Sequence, residues 1–228
     1  LEGFKQTKSQ PASIAGIVYR KLNYGANNIL GMSDNGTEQT IKNLTMSDVQ
    51  SYYDNYITSQ GTKVVIVGDI KEGEIMPKLA FLSKLPNKTI VFPKPPTPPA
   101  IAKTTIYLVD VPKAAQTEFR VGKIVDMPYD QLGEYYRCML MNYVLGSNFN
   151  SRVNLNLRED KGWTYGARAS FSGDKYGVQY TFSSGIRADA TDSALTEVMK
   201  EINNYASTGI REDELAFTKS ALGQVDAL

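Results

Sequence analysis

The segment LREDKGWTY sets an arginine, Arg158, seven residues before a tyrosine, Tyr165. A guanidinium is a permanent cation carrying a fork of N–H donors, and a phenol adds one O–H donor. Held in a cleft that excludes water, two such groups can meet negative charge as it develops on a carbonyl oxygen. Spacing alone says little, because exposed arginines are the rule on protein surfaces. The pair gains weight from what the chain lacks: there is no histidine among its 228 residues, and a single cysteine, Cys138. Histidine is the commonest zinc ligand and the usual general base near neutral pH. The chain therefore has no ordinary zinc site, no expected cofactor site, and no Ser-His or Cys-His pair. Its chemistry must use carboxylates, lysines, tyrosines and arginines, or be completed by another polypeptide. Together these features describe a part that assists catalysis without housing it.

The elements that must hold the pair can be read from periodicity. SRVNLNLRED, residues 151–160, predicts a helix that Gly162 breaks, leaving Arg158 near its C-terminus and Tyr165 at the start of the next strand. Both could then face one cleft. Residues 165–172 and 176–186 read as a hairpin across Gly173-Asp174, with Tyr176, Val178, Tyr180 and Phe182 alternating on one face. A helix is expected over 129–145, another from a cap at Thr191 or Asp192 to Gly209, and a last one from REDELAFTKSAL. Upstream, residues 11–22 have helical spacing, and Thr45 with Asp48 fits a capping box for a helix to about 58. TKVVIVGDI (62–70), TTIYLVD (104–110) and QTEFRVGKI (116–124) read as strands, and 72–84 as a short helix.

PKPPTPP, residues 93–99, holds five of the ten prolines. Fixed φ and missing N–H donors make it a stiff spacer of about 20 Å. The expected organisation is residues 1–91 as the end of one domain, 92–100 as the spacer, and 101–228 as a second domain. Mixed strands and helices with hairpin connections predict an α+β fold, with a mostly antiparallel sheet and helices packed on one face. The composition, 42% hydrophobic and 21% charged with net charge +1, is that of a globular chain with a sizeable core and no basic cluster for nucleic acid. No apolar stretch reaches the roughly 20 residues of a membrane span. The opening lacks Met and a signal peptide, and reads as a piece of a longer protein.

Several segments together resemble the pitrilysin/insulinase family of zinc metallopeptidases: LTMSDVQSYYDNYITSQGTKVVIVGDI, TIYLVDVPKAAQTEFRVG, VLGSNFNSRVNLNLREDKGWTYGARASF and GIREDELAFTKSAL. The likeness covers most of residues 35–222. It implies paired α+β domains around a chamber for an unfolded peptide. The first domain would carry a His-x-x-Glu-His zinc helix and the second no metal. This chain would then span the end of the first domain and most of the second, with zinc in a neighbouring domain of the same chain or in a homologous partner. The resemblance also implies that Arg158 and Tyr165 reach the substrate near that zinc. Two other readings stay open: a non-catalytic assembly subunit of the same family, and a peptide-binding module with no peptidase history. Blander roles are favoured elsewhere: core for Trp163, structure for Arg152, strand architecture for Gln116, and a small buried side chain for Cys138.

Overall fold

The computed structural model describes residues 1–92 and 94–225. Its helices begin where local chemistry allows. After α1 (Glu2–Ser9), α2 (Pro11–Tyr24) opens on proline, whose missing N–H costs nothing in a first turn. α3 (Glu38–Asn43) and α4 (Met46–Tyr56) both start from capping boxes. At the second, the Thr45 hydroxyl accepts from Asp48 N–H at 3.3 Å, and the Asp48 carboxylate accepts from Thr45 N–H at 2.8 Å. The Thr45 hydroxyl, donating to that carboxylate at 2.6 Å, and then the Thr45 N–H hold the Asp48 carboxyl below its usual range. α5 (Glu72–Ile75) continues into 3₁₀ turns over Met76–Lys84.

Two runs that sequence reads as strands form no ladder. Residues 62–70 and 104–110 lie outside regular structure. Val65 and Val67 are 83% and 92% exposed, and Leu108 is 91% exposed. A β-branched run expresses fit to a pleated, half-buried surface, and a strand needs a neighbour's backbone groups. Neither run meets such a neighbour among the described residues.

β1 (Gln116–Val125) is the first strand that does. α6 (Glu134–Asn142) follows, widening into a π-helical turn over Tyr143–Ser147. Next comes α7 (Arg152–Asn154), which continues as π-helical turns over Leu155–Asp160. The hairpin strands are β2 (Thr164–Asp174) and β3 (Gly177–Arg187). The chain ends in α8 (Thr191–Thr208) and α9 (Glu212–Val225). Ala190, not Thr191 or Asp192, occupies the N-cap of α8, and Gly209 at φ +71° closes that helix with its N–H on Tyr205 C=O.

The sheet is antiparallel throughout, in the order β1-β3-β2. Alternation sends Val178, Phe182 and Ile186 of β3 to one face, all fully buried, and Phe182 and Ile186 share one cluster with Val153, Leu157 and Val198. Each such side chain contributes about 1.5–3 kcal/mol by leaving water. Helix and sheet approach so closely that a Cβ on Gly146 would sit 2.4 Å from the Ala169 nitrogen, which only glycine avoids. The other face is polar. Glu118 and Arg120 pair there at 3.2 Å, and Tyr19 of α2 brings its hydroxyl to 3.1 Å from that of Thr181. The chain divides into two compact units, 35–94 with Leu1, and 2–34 with the chain from 95 onward.

Candidate functional site

Arg158 and Tyr165 flank one helix-to-strand junction. The last turn before it is π-helical, Leu155–Asp160, and Arg158 lies within it. Gly162 then takes φ +64°, a left-handed conformation costly for residues bearing a Cβ. The turn is fixed by Gly162 N–H on Arg158 C=O at 3.1 Å and by Trp163 N–H on Leu157 C=O at 3.0 Å. Trp163 packs against the core, and its C=O accepts from Arg187 N–H at 2.9 Å. The chain thus leaves the helix and enters β2 in a defined register.

That register contains an irregularity that places Tyr165. Thr164 pairs with Ile186 and Ala167 with Ser184, so two residues of β2, Tyr165 and Gly166, oppose the single residue Gly185. This is a β-bulge. Without it, Tyr165 would share the inward phase of the buried Ala167 and Ala169. With it, Thr164 takes the place opposite Ile186, and its hydroxyl accepts from Gly166 N–H at 3.0 Å. Tyr165 is released outward and is 92% exposed. No hydrogen bond of its hydroxyl is seen among the described residues.

Arg158 is held differently. Its side chain is 31% exposed, pairs with the Glu159 carboxylate at 2.6 Å, and lies over the Phe149 ring at 4.4 Å from the centroid. The ring face offers a cation a modest attraction and a fixed plane. The structure brings Arg158 and Tyr165 to the same junction, with no hydrogen bond between them among the described residues. A cavity of about 320 Å³ nearby is lined by Val144, Asn148, Arg152, Leu155, Glu214 and Phe217 among others, and by neither Arg158 nor Tyr165.

The other candidates fall into structural places. Arg152 donates to both oxygens of Glu214, at 2.8 and 2.6 Å, and to Gly209 C=O at 3.1 Å, with its guanidinium over the Tyr205 ring. Gln116 is the exposed first residue of β1. Burial, then the nearby Glu134 charge, push the Cys138 thiol up, which disfavours the thiolate a nucleophile needs. Sequence reasoning passed over Phe149 and Asn154. The signal for Asn154 was a polar residue beside Val153, in the buried phase of a helix. Among the described residues no three His, Cys, Asp or Glu side chains converge, and with no histidine and one cysteine the donor set does not fit zinc. Among them, too, no helix is long and apolar enough to cross a membrane.

A family model described as the peptidase M16 inactive domain matches residues 43–222. A Bacillus subtilis protein described as the uncharacterized zinc protease YmxG is 23% identical over 224 residues, covering 97% of this chain and 52% of that protein. This chain therefore spans about half the length of the curated relative it matches. A peptidase M16 inactive domain from Pseudomonas fluorescens has the same fold, with TM-score 0.88 at 22% identity over 100% of this chain and 54% of that one. A protease from Helicobacter pylori does so with TM-score 0.81 at 16% identity, over 97% and 54%. Since the family model covers most of the sequence and the antiparallel sheet with its helices recurs in these structures, the chain belongs to the peptidase M16 inactive-domain family.

Proposed function

We propose that this chain completes the peptide-binding chamber of a zinc-protease-like protein and lends Arg158 and Tyr165 to the substrate. In this reading residues 1–91 close a first peptidase-like domain, 92–100 are a stiff spacer, and 101–228 form the metal-free second domain. Zinc belongs to a neighbouring domain or a homologous subunit, and the ligand is an unfolded peptide. The observation that carries the reading is the bulge at Tyr165–Gly166, which spends sheet regularity to hold a large aromatic donor 92% exposed beside the turn that bears Arg158. Bulges next to active sites commonly re-aim a side chain. When the carbonyl carbon of a bound peptide is attacked, its oxygen gains negative charge. A guanidinium N–H and a phenol O–H then donate to that oxygen, and both gain strength as water leaves.

The test is peptide hydrolysis by the whole peptidase, this chain together with its zinc-bearing domain, using a fluorogenic unfolded peptide. Arg158→Ala and Tyr165→Phe should each lower kcat by about 10²–10³, the usual loss for one such donor. Tyr165→Phe should leave the urea midpoint unchanged, because that hydroxyl has no hydrogen bond among the described residues. Full activity in both variants would remove the pair from the mechanism and favour a non-catalytic subunit.

A further inference from the structure

Resting on the reading of Arg158 and Tyr165 just given, we propose that Asn154 is a positioning residue that ties the supports of both side chains into one unit. Asn154 is 3% exposed at the end of α7, where a polar group needs its partners. Its amide nitrogen donates to Phe149 C=O at 2.7 Å, and its amide oxygen accepts from Ala167 N–H at 2.9 Å. These are the two points that matter. Phe149 is the ring beneath Arg158. Ala167 is the residue at which the bulge ends, immediately after Tyr165 and Gly166. One planar amide therefore fixes the loop that carries the arginine's platform and the strand kink that turns the tyrosine outward.

The chemistry needs an amide specifically. β2 is an edge strand of the sheet, so Ala167 N–H takes its acceptor from outside the ladder, and a buried N–H without one is costly. The loop's carbonyl needs a donor on the opposite side. Asparagine supplies both from one short, stiff side chain, whereas a carboxylate supplies only the acceptor and a hydroxyl cannot span both. The role differs from core packing, since neighbouring Val153 and Leu157 already fill the apolar contact.

Solution NMR of the 228-residue chain reads both ties directly. In wild type the Arg158 side-chain protons should be shifted upfield by the Phe149 ring, and the Ala167 amide should exchange slowly. Asn154→Ala should speed Ala167 exchange about tenfold, the scale of one lost hydrogen bond, and abolish the upfield shift. Exchange of Phe182 and Val198 should stay unchanged. Asn154→Asp should keep the Ala167 protection and lose only the ring shift, because it retains the acceptor alone. Phe149→Leu, at an exposed position that tolerates change, should remove the shift without touching Ala167. Unaltered Ala167 exchange and ring shift in Asn154→Ala would overturn the proposal, as would a uniform loss of protection across the sheet.

Kinetics in the whole peptidase separates this inference from the reading beneath it. If Tyr165→Phe is slow, Asn154→Ala should lower kcat with little change in KM. The Asn154→Ala/Tyr165→Phe double variant should then be scarcely slower than the worse single one. Strictly multiplicative losses would refute the positioning role. Full activity in Tyr165→Phe and Arg158→Ala would refute the functional reading alone, leaving the two NMR ties to stand or fall by themselves.

Discussion

Replacing Glu214 in α9 should expose how the second unit is held together. Glu214 receives two charge-assisted bonds from Arg152, at 2.8 and 2.6 Å, between side chains only 10% and 13% exposed. It also accepts from Arg211 N–H at 2.9 Å, satisfying a free donor at the start of α9. Truncation would leave the largely buried Arg152 cation with Gly209 C=O and the Tyr205 ring as its close contacts and the more distant Glu201 charge, among the described residues. Removing one partner of such a pair costs about 3–5 kcal/mol. Arg152→Ala should cost a similar amount, and the double variant should recover about 2–3 kcal/mol of the sum, the scale of hydrogen bonds to charged groups. The assay is urea unfolding followed by fluorescence of Trp163, the sole tryptophan, which packs on the core. pH gives a second arm. The Arg152 hydrogen bond, with help from Arg211, holds the Glu214 carboxyl below its usual range against the opposing effect of burial. A depressed folded value means stability that is fully present above the unfolded value of about 4.3 and is lost as pH falls through the folded one. The gap between wild type and Glu214→Gln should thus be flat near neutrality and close only in acid below that range. A coupling under about 0.5 kcal/mol, or a gap indifferent to acid, would refute the reasoning.

Gly146→Ala should lower the urea midpoint by an overpacking cost of about 1–3 kcal/mol, since its Cβ would meet Ala169 backbone; no change would mean that the π-helical turn can shift away. Gly162→Ala meets no atom within 4 Å, so its cost should be purely conformational, about 1–2 kcal/mol at φ +64°, and equal stability would show that the turn re-forms in another geometry. Elemental analysis of the purified chain should find no stoichiometric zinc, and the chain alone should cleave no peptide; tight catalytic zinc would overturn the assignment of metal to another domain.

The legible part of the fold is the part that local chemistry decides. Thr45 and Asp48 announce a helix start because both halves of a capping box lie within four residues. The hairpin is legible because Val178, Tyr180 and Phe182 alternate, but its turn is Lys175-Tyr176, two residues past the expected Gly173-Asp174, which pair in the ladder with Val178 and Gly177; Gly209 ends α8 as its backbone freedom suggests. Residues 62–70 and 104–110 misled because β-propensity speaks of side chains, whereas a strand exists only beside another. The candidate pair was visible in its flanking residues, and the turn at Gly162 in the glycine itself. The π-helical widening at 143–147 and 155–160 was not visible, because the apolar spacing of those segments is equally that of an ordinary helix, and the close approach of Gly146 to Ala169 joins residues far apart in sequence.

The bulge was the least legible feature and has the largest effect on where Tyr165 stands. Strand periodicity counts in twos, so a single inserted residue reverses the face of everything on one side of it. Read from Ala169 and Ala167 backward, Tyr165 belongs in the core; read from the structure, Thr164 occupies that place and Tyr165 is outside. Sequence alone offers Gly166 as a hint, since glycine within a strand often marks such a kink. What decides the matter is Ile186, fully buried on β3, which accepts the small Thr164 across the ladder. A tyrosine in that position would have to bury a phenol, and a buried hydroxyl without a partner is costly. The exposure of Tyr165 is therefore a consequence of core packing on the neighbouring strand: the same packing that stabilises the sheet turns the tyrosine out to solvent.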